Sequence, residues 1–259
     1  MRNTHIDLHD ALDRALVAIG NDYPAGHLLD AHAHRRAQLL YGATGVMLVL
    51  SEDGGWVVPP QRAVWIPAGV THQVRMLGVS TRSAYIEPGA ARADARACEV
   101  VEVSPLLRQL LLAAVDMPAQ YDREGRDGAL ARLLLHEVDR APALPLHIPL
   151  PRDARLGALC QAFMAAPDIR SRPQDWAGRL HMSPRSFSRH FREHTGMSYA
   201  QWRQRACVVL ALARLAAGDP VTVIALDFGY QGPAAFSTMF RRVLGAAPSA
   251  YLRTDSDPP

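Results

Sequence analysis

Two sets of side chains in this 259-residue chain have types and spacings that suit chemistry. The first is polar and cationic: Arg185, Ser186, Ser188, Arg189 and Arg192, then Ser237, Thr238, Arg241 and Arg242. Guanidinium and hydroxyl groups on one helix face donate hydrogen bonds to phosphates and to base edges in a major groove. The second set is His32, His34, Gln38 and His72. His32 and His34 are separated by one residue, so in extended chain both side chains leave the same face. With Gln38 and His72 they offer imidazole and carboxamide groups to line a pocket and to hydrogen-bond within it.

The elements that must position the first set form an internal repeat. Ala177 matches Ala225 and Leu180 matches Phe228 at an offset of 48. Pro184 matches Pro233, Phe187 matches Phe236, Phe191 matches Phe240 and Gly196 matches Gly245 at an offset of 49. Each copy reads as two helices about a turn, at His181–Met182 and at Gly229–Tyr230. Ser183 suits a helix cap, Pro184 suits the first helical position, and Gly196 and Gly245 suit helix stops. Phe187 and Phe191 lie four apart on one face, as do Phe236 and Phe240, and should anchor each second helix in a core. That leaves the Arg and Ser face outward. A helix over 199–217, free of Gly and Pro, would span roughly 28 Å at about 1.5 Å per residue. One DNA turn is about 34 Å, so two reading helices joined by it could enter successive major grooves.

This stretch, 172–253, resembles the DNA-binding domain of the AraC/XylS family of bacterial transcription regulators. The resemblance implies double-stranded DNA as a partner, with RNA polymerase as a further one. The second copy departs from the family pattern: Thr238 stands where Arg is common, and Ala234 and Ala235 are short, so that helix is expected to hold phosphates more than to read bases.

Bulk properties agree with two joined modules. All 28 basic residues are Arg. Residues 1–149 carry 14 Arg against 17 Asp and Glu, a net of −3, and residues 150–259 carry 14 against 8, a net of +6. A basic half attached to an acidic half suits a nucleic-acid module joined to something else. No apolar run approaches membrane-spanning length and the start is no signal peptide, so a cytoplasmic protein without membrane contact is expected. Cys98, Cys160 and Cys207 are too few and too far apart for a disulfide framework or zinc cluster.

Along the chain, a short helix is expected over Leu8 to Ile19 and a turn over Asn21 to Pro24. From Gly26 to Pro88 the chain reads as short strands between Gly and Pro turns, the mark of a sandwich or barrel. Gly26, His32, His34, Gln38 and Gly45, followed by Pro67, Gly69 and His72, are similar to the two motifs of the cupin barrel. In metal-bearing members of that family the equivalents of His32, His34, Gln38 and His72 ligate a divalent ion. The family usually has Glu where Gln38 stands, so the resemblance implies a site of weaker metal affinity or a pocket for a small organic effector. Ser104 and Pro105 open an apolar helix and a second runs from about Gly128 to Arg140. In arabinose-type regulators such helices dimerise, which implies a homodimer; packing against the barrel is the alternative. Ala141 to Pro151 holds four prolines and reads as an interdomain linker.

The expected protein is therefore multi-domain: an all-β cupin barrel with trailing helices over 1–140, a linker over 141–151, and an all-α domain with two helix-turn-helix units over 152–253. Its expected function is effector-responsive, sequence-specific transcription regulation without enzymatic activity. A cupin enzyme has no need of the duplicated Arg-faced unit, and an architectural DNA protein leaves the histidine pocket unexplained.

Overall fold

The computed structural model describes residues 1, 4–24, 26–52, 54–92 and 94–251. The end of the expected DNA-binding domain, Leu252 and Arg253, lies outside them. The chain divides into two compact units: Met1–Ser51 with Val58–Leu146, and Glu52–Val57 with His147–Pro259.

After a single 3-10 turn at Ile6–Leu8, the strands are β1 (Leu16–Tyr23), β2 (Leu28–His32), β3 (Ala37–Gly42), β4 (Val46–Ser51), β5 (Gly54–Val58), β6 (Arg62–Ile66), β7 (His72–Leu77), β8 (Val79–Ile86) and β9 (Glu99–Glu102). Helices α1 (Pro105–Ala114) and α2 (Arg126–Arg140) follow, then β10 (Ala143–Leu144) and β11 (His147–Pro149). In the first unit one sheet runs β1-β8-β3-β6-β9-β10 and the other contains β4-β7-β2, with antiparallel pairing. This is the antiparallel β unit with trailing helices that the cupin resemblance implies.

The expected helix over Leu8 to Ile19 and turn over Asn21 to Pro24 are wrong. β1 runs from Leu16 through Tyr23 and pairs with β8 along its length. Its first residues are buried on both faces: Leu16 and Ala18 join the main core, whereas Val17 and Ile19 pack with Ile6. Two-sided burial erases the alternation that would have marked a strand.

One face of the first sheet, with Leu39, Tyr41, Trp65, Ala84 and Ile86, packs under the apolar faces of α1 and α2, through Leu107, Leu111, Leu134 and Val138. Ser104 caps α1 by accepting from Leu107 N–H, with Pro105 at the first helical position, as its sequence indicates. The alternative reading of these helices, packing against the barrel, is what their buried faces do, while Leu106 and Leu133 stay exposed.

The proline-rich segment is no free tether. Ala143 and Leu144 pair with Val101 and Val100 in the first unit. His147, Ile148 and Pro149 pair with Trp56, Gly55 and Gly54 in the second. Proline is tolerated because β10 and β11 are edge strands. The division between units falls at Leu146–His147, and 52–57 groups with the C-terminal unit.

The second unit continues with α3 (Ala154–Ala165), α4 (Pro173–Arg179), α5 (Pro184–Thr195), α6 (Tyr199–Ala216), α7 (Val221–Asp227), α8 (Pro233–Leu244) and α9 (Pro248–Tyr251). Asp153 caps α3, and α6 opens with a reciprocal capping box between Ser198 and Gln201. The buried Trp202 indole donates to the Pro149 carbonyl at 2.8 Å, tying α6 to β11. Cys98, Cys160 and Cys207 are buried thiols, not disulfides.

Candidate functional site

Within the first unit, the four pocket residues come together from both sheets. β7 alternates, so His72 points inward with Val74 and Met76 while Arg75 and Leu77 face out. A register shift between Leu29 and His32 ends β2 with His32 opposite His72. His34 follows in the turn, and Gln38 comes from β3 of the other sheet. The ring centroids of His32 and His72 lie 4.4 Å apart, those of His34 and His72 5.1 Å, and those of His32 and His34 5.8 Å. The ligand atoms of the three histidines lie within 4.8 Å of one another, so the cluster could hold a metal ion.

The hydrogen bonds orient the rings alike. Nδ1 of His32 lies 2.7 Å from the Asp30 carbonyl, Nδ1 of His34 2.9 Å from that of Arg36, and Nδ1 of His72 2.9 Å from that of Val70. Each backbone carbonyl accepts the Nδ1 proton and leaves Nε2 as the lone-pair nitrogen, the arrangement that orients a metal-ligating imidazole. Nε2 of His72 is buried without a hydrogen-bond partner. Nε2 of His34 lies 3.0 Å from Oε1 of Gln38, whose amide nitrogen donates to Ser83 Oγ and Tyr85 Oη. Two facing lone pairs need a shared cation, or the amide turned the other way. Burial pushes the His72 imidazole down to about 4, helped by His32 and His34 and opposed by the Val70 bond. Burial also lowers His34. Both rings are neutral at pH 7, the ligating form. Ser83 and Tyr85 went unnoticed in the sequence because only the β3–β8 pairing brings them to Gln38.

In the second unit the two repeats fold alike. In each, the α4 or α7 turn closes with the same pair of bonds: His181 N to Gly178 O and Met182 N to Ala177 O, then Gly229 N to Leu226 O and Tyr230 N to Ala225 O. This cap needs a left-handed residue, and φ is 57° at His181 and 77° at Gly229. Gly229 suits this φ, and a Cβ there would also have to push aside the half-exposed Asp168 carboxylate. Ser183 caps α5, while Gly196 and Gly245 end α5 and α8 in left-handed conformation.

Phe187, Phe191, Phe236 and Phe240 are fully buried, as are Ala177 and Ala225 to within 1%. The first pair sits in an aromatic cluster with Trp176, Tyr199 and Trp202. On the opposite face of α5, Arg185, Ser188, Arg189 and Arg192 are exposed and Ser186 is half-buried. On α8, Ala234, Ala235, Thr238, Arg241 and Arg242 are exposed and Ser237 is half-buried. Arg189 has one weak ion pair, to Glu193 at 3.8 Å. The surface is a cationic, hydroxyl-bearing helix face of the kind that enters a major groove. Sequence reasoning missed Asp153, which caps α3 beside His190, and the Ser198–Gln201 box, although Ser-x-x-Gln is legible.

A family model for an AraC-like ligand binding domain matches residues 15–165, more than half of the chain. A helix-turn-helix domain model matches residues 176–254. The HTH-type transcriptional regulator NimR of Escherichia coli K12 is 32% identical over 222 residues, covering 85% of this chain and 81% of the relative. The HTH-type regulator RipA of Corynebacterium glutamicum is 33% identical over 133 residues, 51% of this chain and 38% of the relative. Among solved structures, ToxT of Vibrio cholerae O395 overlaps 92% of this chain and 97% of its own at 10% identity and a TM-score of 0.39. No helix among the described residues is long and apolar enough to cross a membrane. The chain belongs to the AraC family of helix-turn-helix transcription regulators, and is a DNA-binding regulator with a ligand-binding N-terminal domain.

Proposed function

We propose that this regulator senses its effector at His32, His34, Gln38 and His72, and that the cluster holds a divalent metal ion. The observation that carries the reading is Nε2 of His72: it is buried, it has no hydrogen-bond partner, and it belongs to a cluster whose three Nδ1 atoms are engaged by backbone carbonyls. A buried acceptor without a partner is costly, and a metal ion satisfies it together with the lone pairs of His34 and Gln38. Gln38 ligates through Oε1, positioned by Ser83 and Tyr85. The ion would supply a fixed positive charge joining β2, β3 and β7, and so bias the unit between two states by its differential affinity.

Operator contact belongs, in this reading, to Arg185, Ser186, Ser188, Arg189 and Arg192 as base and phosphate contacts. Ala234, Ala235, Ser237, Thr238, Arg241 and Arg242 hold the backbone of the neighbouring turn. Exposed Leu106 and Leu133 on α1 and α2 support pairing of two copies, and an activator form would engage RNA polymerase. The test is metal content. Purified full-length chain, stripped with a chelator and reloaded with Zn²⁺, Ni²⁺ or Co²⁺, should retain close to one ion per chain, and His72→Ala should not. A wild-type chain that takes up no ion and still responds to its effector sinks the metal reading and leaves the histidines as lining of an organic pocket.

A further inference from the structure

We propose that the ligand of this cluster is an oxyanion, a small carboxylate or related group that coordinates the bound divalent ion; the inference rests on the metal reading above. Its ground is charge. The donor set consists of three imidazoles, which ligate in their uncharged form, and one carboxamide, and among the described residues no Asp or Glu oxygen belongs to the cluster. The hydroxyl groups beside it bring no formal charge: Ser83 and Tyr85 are hydroxyls that accept from the Gln38 amide.

The nearby described acids do not enter the cluster. Asp30 meets His32 through its backbone carbonyl. Asp10, whose field reaches His34, is held by Arg35 at 3.3 Å and by Arg36 at 3.4 Å. Asp7, whose field reaches Tyr85, lies in the 3-10 turn and is exposed. An ion held by His34, His72 and Gln38 would therefore keep its whole double charge against buried ligands, and a buried charge without a counter-charge is strongly disfavoured. A bound water can relieve this by ionising. A carboxylate brings the negative charge already formed, and can offer two oxygens. The open side of the site is at His32, which borders solvent while His34, Gln38 and His72 are buried. Gln38 is then the residue that sets ligand class, because a carboxylate at its position would supply the missing charge from the protein itself.

The experiment uses full-length chain loaded with Co²⁺, followed by visible absorption. Oxalate is the probe, acetamide the neutral control, and gel filtration confirms that the ion stays bound. Oxalate should shift the Co²⁺ bands with saturation at one per chain, and acetamide should leave them unchanged. Gln38→Glu should keep one Co²⁺ per chain and bind oxalate at least tenfold more weakly. Retained Co²⁺ whose bands ignore oxalate overturns the proposal while the metal reading stands, as does Gln38→Glu binding oxalate as tightly as wild type. Wild-type chain that binds no Co²⁺ overturns the metal reading and this proposal together.

Discussion

Arg189→Ala should weaken DNA binding without disturbing the fold. Arg189 lies on α5, three-quarters exposed, and its ion pair with Glu193 is long and surface-exposed. Such a pair contributes about 0.2–0.5 kcal/mol, and alanine is the better helix former, so the two changes nearly offset. The melting temperature should stay within a degree or two of wild type. On DNA the balance differs. A guanidinium bidentate to guanine is worth about 1–3 kcal/mol of discrimination, which is about 5- to 150-fold in Kd. An operator recovered by selection from a random duplex pool, labelled for fluorescence anisotropy, would give Kd for both proteins across a salt series. A base contact predicts a large loss on the operator and a small one on random DNA. A phosphate contact predicts equal losses on both and a salt slope shallower by about one. Unchanged affinity for both sequences would refute the placement of this face against DNA.

Other expectations concern the scaffold. Phe187→Ala or Phe236→Ala, each removing a fully buried ring, should cost about 3–5 kcal/mol; an unmoved thermal melt of the full chain would mean the helix faces are inverted. Gly229→Ala should lower the denaturation midpoint, since left-handed φ costs a non-glycine residue about 1–2 kcal/mol and the new Cβ meets Asp168. His181→Gly, at the equivalent left-handed position of the first copy, should not lower it, because relief of strain offsets the unfolded-state entropy of about 0.4–1 kcal/mol; equal losses from both changes would contradict the shared turn geometry. A C-terminal fragment beginning at residue 152 should be less stable than one beginning at residue 145, since the buried Trp202 donor loses the Pro149 carbonyl at a cost of about 1–3 kcal/mol. Coincident unfolding curves would show that β11 does not brace α6.

The helical unit was legible nearly residue by residue. Its buried Phe pairs, serine cap and glycine stops are local signals with fixed spacing, and the duplication states each of them twice. The strands from Ala37 to Ile86 were legible from turn residues and apolar runs. β1 was not, because burial on both faces removes periodicity, nor was the pairing of Ala143–Leu144 and His147–Pro149, which depends on edges formed by distant chain. In the pocket, His32, His34, Gln38 and His72 were visible as types and spacing. The carbonyls that orient the rings, and Ser83 and Tyr85 behind Gln38, follow from sheet register alone. His181 gave no warning of its positive φ; the one hint is that Gly229 occupies the matching place.

The central claim is that the histidine cluster governs the response of the DNA-binding unit. It is tested most directly by operator affinity of the full-length chain, measured by anisotropy in chelator and then with added divalent metal, for wild type and for the double change His32→Ala with His72→Ala. Coupling between two sites is typically worth about 1–3 kcal/mol, so metal should shift the wild-type Kd by about 5-fold or more. The double variant should match wild type in chelator and show no shift. Equal shifts in the two proteins would place the response elsewhere than at these imidazoles and contradict the account.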